Sequence, residues 1–513
     1  MPTFSILKDP CRAVGVFILV GNSLIASAAL ENLHKSMDTN KDSVVTESEF
    51  LGFWQASFDR QDRDGDQFLD KITYDSKVME QVDTNKDGRV TAAEDQALRK
   101  LHFDSLDKDK DGSITLPEIL GQSKPVQSGK DYASDLEAVG ALAGLVEAPR
   151  FIAADGFASS PTMRAIFYEG LDWEGKETRV FAWIGLPEQR SGKVPGIVLV
   201  HGGGGTAFKQ WVEQWTSRGY AAISIAVEGQ TDQKPPSGSR HQHWRPHQWA
   251  GPQRVGIYGD SAKPIRDQWM YHAVADTILA NSLLRSLPEV DAERVGIMGI
   301  SWGGVITSTV IGIDSRFAFA IPVYGCGNLS KAENQYGRSL GKNEHYKHVW
   351  DPVLRLSKAR MPTLWFSWPG DQHFPLNLQA SCYAEQSGPH MVANIPGLGH
   401  GHGSPWNRPE SYAFADLLLQ EGSLWCAQAG QRVNDGMLEV SFECTERIDS
   451  AELVWTADRG FTGKRTWEIA KAQATRNGKR WLVRAAIPES ATTCFINISS
   501  EGRIASSDYL DIQ

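Results

Sequence analysis

Three short stretches carry residue types that can do acyl-transfer chemistry together. Ser301 lies in Gly299-Ile300-Ser301-Trp302-Gly303, with Gly304 behind it. An apolar run, Arg294 to Met298, precedes it and a second, Val305 to Ile311, follows. That order predicts a strand, a sharp turn and a helix, with the serine hydroxyl lifted clear of the sheet. Glycines flank the serine because side chains there would collide with the neighbouring strand or helix. Trp302 opens the helix, so its free amide faces a developing oxyanion. A serine nucleophile needs a base, and the base needs an acid to orient it. Asp371, in Pro369-Gly370-Asp371-Gln372-His373, follows a strand-like run from Met361 to Trp368. The base lies in Pro396-Gly-Leu-Gly-His400-Gly-His402-Gly, after the run Met391 to Ile395. His400 follows that strand most directly; His402 is the second candidate, otherwise a substrate-facing group. A second oxyanion donor is expected from His201-Gly202-Gly203-Gly204-Gly205, at Gly203 or Gly204. A phosphate loop is excluded, since the lysine and hydroxyl residue it requires do not follow those glycines.

The elements that must position these groups alternate. Gly196 to Val200 reads as a buried strand, Trp211 to Arg218 as a helix, and Tyr220 to Ala226 as the next strand. This predicts an α/β unit over 151–428, with a mostly parallel sheet covered by helices. A long insertion, 228–266, interrupts it and holds His241, His243, Trp244, Arg245, His247 and Trp249. No matching carboxylate or cysteine set accompanies those histidines, so a substrate-facing loop is preferred to a metal site. Trp244, Trp249, Trp368 and Trp406 lie in or beside loops that could flank bound substrate.

Residues 196–420 resemble the α/β-hydrolases, in the branch of dienelactone hydrolases and acetylxylan esterases. The likeness is carried by HGGGG at 201–205, LPEVDAERVGIMGISWGG ending at Gly304, GDQHF at 370–374 and GLGHGHG at 397–403. It implies Ser301 as nucleophile, Asp371 and His400 as its partners, and hydrolysis of an ester. The long insertion departs from the compact members of that branch.

A different chemistry repeats near the N-terminus. Asp38, Asn40 and Asp42 lead to Glu49; Asp62, Asp64 and Asp66 lead to Thr73; Asp83, Asn85 and Asp87 lead to Glu94; Asp107, Asp109 and Asp111 lead to Glu118. Oxygen ligands at loop positions one, three and five and a bidentate glutamate at twelve are what a calcium loop needs. Position seven (Val44, Arg89, Ser113) offers a backbone carbonyl. An apolar residue at position eight (Val45, Leu69, Val90, Ile114) can join two loops by a short β-bridge. The segment 31–122 thus resembles a four-loop EF-hand domain. Loops three and four satisfy every position. Loop one has Ser43 for glycine, and loop two ends on Thr73 without its bidentate ligand. Starts 24, 21 and 24 residues apart suggest two compact pairs with short shared helices. Calcium is expected to stabilise or dock; bond cleavage itself needs no metal.

The chain has 513 residues, enough for several domains, and 41% hydrophobic residues, enough for a large core. A net charge of −10 argues against nucleic-acid binding. Residues 31–120 hold 21 acidic and 12 basic side chains, which is nearly all of that excess. Lys8, Arg12, the apolar run Ala13 to Ala26 and Ala26-Ser27-Ala28 read as an export signal over 1–29, hence a periplasmic or secreted protein without a permanent membrane anchor. Of six cysteines, Cys11 falls in that signal; Cys444 and Cys494 lie on candidate strands and could pair. Residues 123–150 read as a linker ending in a short helix. From 432 to 513 short alternating runs predict a small β-sandwich with Trp455, Trp467 and Trp481 in its core. The expected function is an exported serine esterase acting on acyl, notably acetyl, esters of polysaccharides. A peptidase of prolyl-oligopeptidase type and a calcium-dependent docking protein with a vestigial hydrolase domain are the alternatives.

Overall fold

The computed structural model describes residues 24–40, 42–62, 65–70, 82–107, 112–119, 132–235, 244–422, 424–444, 446–478 and 480–512. Most of the export signal, Asp64, Thr73, Asp109, Asp111, His241 and His243 lie outside them. The chain divides into two compact units, 1–131 and 132–513.

In the first unit, helices Glu47–Gln61 and Ala92–Leu106 each start on a threonine cap. Thr46 and Thr91 accept from the amides of Glu49 and Glu94, whose side chains reach back to the cap amides. Strands β1 (Val44–Thr46), β2 (Phe68–Asp70), β3 (Arg89–Thr91) and β4 (Ser113–Thr115) are the loop bridges. β1 pairs with β4 through Val45 and Ile114, and β2 with β3 through Leu69 and Val90. Loop one therefore joins loop four, and loop two joins loop three. The reason is the shared helix: loops one and two sit at opposite ends of Glu47–Gln61, about 22 Å apart, and cannot meet. Two small cores result, one around Phe58, Leu69, Val82 and Val90, the other around Val45, Phe50, Trp54, Phe103 and Ile114. The helix Leu24–Met37 runs through the small-residue stretch 26–28. Among the described residues, no helix is long and apolar enough to cross a membrane.

The second unit opens with the short helix Ala133–Ala141. Its sheet contains β5 (Phe151–Ala153), β6 (Met163–Glu169), β7 (Arg179–Gly185), β8 (Val194–Val200), β9 (Ala221–Ile225), β10 (Val290–Ile300), β11 (Ala320–Val323), β12 (Thr363–Ser367) and β13 (His390–Asn394). The order β9-β8-β10-β11-β12-β13 is parallel throughout. β7, β6 and β5 extend it antiparallel beyond β9. The parallel strands are buried on both faces, which is why they read as continuous apolar runs. Helices Lys209–Thr216, Trp269–Ser286 and Trp302–Val310 supply cover.

The C-terminal strands form two antiparallel layers, with β14 (Cys426–Asn434) crossing the expected boundary near 430. One layer joins β14, β15 (Met437–Cys444), β19 (Arg480–Ala486) and β18 (Gln473–Asn477). The other holds β17 (Glu468–Lys471), β16 (Ser450–Thr456), β20 (Thr493–Ser500), β21 (Arg503–Ser506) and β22 (Leu510–Asp511). β21 pairs with β13 at Val392 and Ser506, so this layer continues the central sheet. Leu438, Val440, Leu453, Trp481 and Ile496 belong to the same apolar core as the hydrolytic sheet. Trp455 is half-buried against that core and Trp467 packs on Phe495, in keeping with packing roles. The pairing of Cys444 with Cys494 does not hold: Cys444 stands opposite Cys426, whereas Cys494 faces Trp455 and Leu510. The five described cysteines are free and buried.

Candidate active site and calcium loops

β10 ends at Ile300, and the helix Trp302–Val310 begins two residues later. Ser301 occupies the turn at φ 59° and ψ −116°, a region costly for a residue with a side chain. Its amide donates to the Val323 carbonyl at 2.9 Å, which holds the turn against β11. A Cβ on Gly299 would lie 2.1 Å from the Gly303 carbonyl oxygen, and one on Gly303 would lie 2.2 Å from that of Val200. Only glycine fits so close an approach of strand and helix.

The Ser301 hydroxyl lies 3.0 Å from Nε2 of His400, whose Nδ1 lies 2.9 Å from Oδ2 of Asp371. Asp371 is fully buried, and its Oδ1 accepts from the amides of His373 and Phe374 at 2.8 and 2.9 Å. Both carboxylate oxygens are thereby committed, and the carboxylate dictates that Nδ1 of His400 carries the proton. The Tyr324 ring stands 4.5 Å from that of His400, and its hydroxyl donates to the Gly399 carbonyl at 2.8 Å. The C-terminal layers support the acid loop from behind. Thr462 accepts from the Leu376 amide, and a Cβ on Gly463 would meet the Asp371 carbonyl oxygen at 2.3 Å.

His402 does not compete for the serine. Its Nε2 accepts the Gly202 amide at 3.0 Å, and its ring lies among Phe208 and Trp211. Burial holds its pKa below the usual histidine value. His201, fully buried, accepts the Val227 amide at Nε2 and holds Gly202 O through Nδ1 at 2.7 Å. Burial drives its pKa down to about 3, so it stays neutral and keeps one tautomer. Trp244 donates to the Gly204 carbonyl at 2.9 Å. The glycine loop is thus braced from three sides. Among the described residues, the amides of Gly203 and Trp302 have no hydrogen-bond partner, and both residues line the cavity beside Ser301. Gly204 is not among the residues that line it.

That cavity, about 390 Å³, is lined by Gly203, Arg254, Ser301, Trp302, Tyr336, His373, His400, Gly401 and His402. The tryptophans expected to face substrate are not among these residues. Trp244 braces the glycine loop, Trp249 packs on Phe167 and Arg179, and Trp406 packs at a tilt on Trp211. Trp368 lies against the backbone of Gly370. Each was placed near the site by sequence and is half-buried against these neighbours. Arg254, Tyr336 and His373 are the functional candidates that sequence reasoning missed. His373 was visible in the Asp371 loop; Arg254 arrives from the 228–266 insertion, and no local pattern marks it.

Residues 147–331 match the model of the acetyl xylan esterase (AXE1) family, and residues 256–421 that of the prolyl oligopeptidase family. The second unit is an α/β-hydrolase. The protein is a serine hydrolase of carbohydrate-esterase-like kind, as the first match indicates. Among solved structures, an acetyl xylan esterase from Paenibacillus sp. R4 is 21% identical, with 54% of this chain and 92% of that chain covered and a TM-score of 0.42. Acetyl xylan esterase 1 from Thermoanaerobacterium sp. gives 17% identity, 57% and 92% coverage and a TM-score of 0.43. An acylaminoacyl peptidase from Pyrococcus horikoshii gives 20%, 50% and 42% coverage, and 0.38.

Residues 76–94 and 100–120 match the EF-hand model, covering loops three and four. In loop three, Asp83 accepts from the amides of Asp87 and Gly88, Asn85 from Asp87, and Glu94 from Thr84 and Thr91. Loop one repeats this with Asp38, Asn40 and Glu49. In loop two, Asp62 accepts from Gly65 and Gln67, and in loop four Asp107 from Gly112 and Glu118 from Thr115. These are hard oxygen donors gathered on tight turns, the right chemistry for Ca²⁺. Among the described residues, no three His, Cys, Asp or Glu side chains gather as a metal-ligating group.

Proposed function

We propose that the protein is an exported serine esterase that removes acyl groups from polysaccharide esters through Ser301, His400 and Asp371. The observation that carries this is His400, bonded at 3.0 Å to the serine hydroxyl and at 2.9 Å to a buried carboxylate. His400 takes the proton of Ser301 as its oxygen attacks the ester carbonyl. The amides of Gly203 and Trp302 receive the oxyanion; such a donor is worth about 3–4 kcal/mol. His400 then protonates the leaving alcohol, and water repeats the sequence on the acyl-enzyme. The acetyl ester and the polysaccharide are inferred from the acetyl xylan esterase match, and export from the first 29 residues. Asp38, Asn40, Asp42 and Glu49, with Asp83, Asn85, Asp87 and Glu94 and the fourth loop, would hold Ca²⁺, which stabilises the unit by binding only its folded form.

The prolyl oligopeptidase match over 256–421 supports a second reading, cleavage of a peptide bond. A panel of acetylated xylo-oligosaccharides, simple acyl esters and blocked peptide amides separates the two. Turnover of the esters, lost in Ser301→Ala, is the expected result. Turnover confined to the amides overturns it.

A further inference from the structure

The insertion delivers one cation to the cavity. Arg254 is held at two of its three nitrogens: Nε donates to Glu228 at 2.9 Å, and Nη1 donates to the Gly256 carbonyl at 2.8 Å. Nη2 has no hydrogen-bond partner among the described residues. It points at the oxyanion loop, where a Cβ on Gly203 would lie 2.9 Å from it. The guanidinium carbon stands 5.1 Å from the centre of the Trp302 ring and 5.9 Å from that of Trp269. Two of the fork's three nitrogens are therefore tied down, and the third lies beside Gly203 at the cavity wall.

No acidic residue is among the described residues that line the cavity. Its other polar side chains are Ser301, Trp302, Tyr336, His373, His400 and His402. Burial holds His373 and His402 below the usual histidine value, so Arg254 is the fixed charge of the pocket at neutral pH. Glu228 aims the guanidinium from behind without occupying the nitrogen that faces the cavity. A neutral acetyl ester offers such a group only weak acceptors. A carboxylate offers it a charge-assisted bond in a half-enclosed site.

We propose that Arg254 determines specificity by binding a carboxylate on the substrate, so that the preferred ester is anionic close to its scissile carbonyl. This rests on the ester-hydrolase reading and names its substrate class. The carboxylate can belong to the acyl part, as in a dicarboxylic half-ester, or to the alcohol, as in an acylated uronic acid.

The test uses the full chain and two matched pairs. For the acyl part, p-nitrophenyl hemisuccinate is compared with p-nitrophenyl butyrate; for the alcohol, acetylated glucuronic acid is compared with acetylated glucose. In one pair kcat/KM favours the anionic ester by about 10- to 100-fold, mostly through KM. That preference shrinks as salt rises and approaches unity in Arg254→Gln. Glu228→Gln, which removes the counter-charge, raises it. Ratios are taken within one variant, so a general loss of activity cancels. A wild-type ratio near unity in both pairs overturns the assignment, as does one that survives Arg254→Gln. Parallel losses on charged and neutral esters in both variants, with the ratio unmoved, would mark Arg254 as a structural brace only. Neutral-ester turnover that persists in Ser301→Ala instead removes Ser301 as the nucleophile, and wild-type turnover confined to peptide amides sinks the ester-hydrolase reading itself.

Discussion

The two units hold their carboxylates in opposite ways. Asp371 is fully buried, with one oxygen on two loop amides and the other on His400. Glu49 and Glu94 also accept loop amides, but on exposed turns, and their groups come from within ten residues. The backbone amides of Thr46 and Thr91 come first in lowering their pKa values to about 2. The hydrolytic carboxylate is thus oriented by tertiary packing, whereas the calcium-loop carboxylates are oriented by local turns and stay available to an ion. Packing gives a site ready to react; a local turn gives one that a ligand can reorganise.

The contrast can be broken at several points, and the hydrolytic unit should yield the largest effects. Ser301→Ala is expected to lower kcat on a chromogenic ester by about 10⁴-fold or more and to abolish labelling by a fluorophosphonate probe. Asp371→Asn keeps the packing but no longer imposes the right tautomer on His400, so kcat should fall by about 10³- to 10⁴-fold with KM little changed. Gly463→Val, on the far side of the acid loop, forces its new atoms into the Asp371 carbonyl and should cost about 10²-fold in kcat. An unchanged kcat there would show that the C-terminal layers do not position the acid.

The calcium unit should respond to its ion instead. Glu94→Gln removes a charged loop ligand and should weaken Ca²⁺ binding by about tenfold in calorimetry, while ester turnover stays within about twofold. Chelation should lower the melting temperature of the transition that moves with Ca²⁺. Acid should separate the units by pH window. Burial holds His201 at about 3 and His247 at about 4, while the unfolded chain binds those protons near the ordinary value of 6.5. Their contribution to the stability of the hydrolytic unit is therefore full above about pH 6.5 and is lost as pH falls toward 3. Glu49 and Glu94 contribute fully above 4.5, and that contribution is lost as pH falls toward 2. A scanning-calorimetry series in which the Ca²⁺-sensitive transition fails before the other would reverse this order.

Much of this was legible along the chain. The turn around Ser301, the glycine run after His201, the loop bearing Asp371 and the loop bearing His400 are contiguous patterns at strand ends, and the structure joins them. The calcium loops are legible for the same reason, since each is a twelve-residue pattern closed on itself. Arg254 was not legible, because one arginine in a long insertion carries no periodicity and only the fold shows where it ends. The packing of the tryptophans was not legible, because a large aromatic near a site looks the same in sequence whether it faces substrate or neighbours.

The sequence by itself determined the local devices: the strained serine turn, the threonine caps, the oxygen-rich loops and the continuous apolar strands. All are written in residues within a dozen positions of one another, although the serine turn is also held against Val200 and Val323. Tertiary structure alone decided that loop one pairs with loop four, that His400 and not His402 meets Ser301, and that β21 joins β13. It also decided that Cys444 meets Cys426. Each of those outcomes sets which of several chemically equivalent partners comes within bonding distance, and distance across the fold is what a linear pattern does not encode.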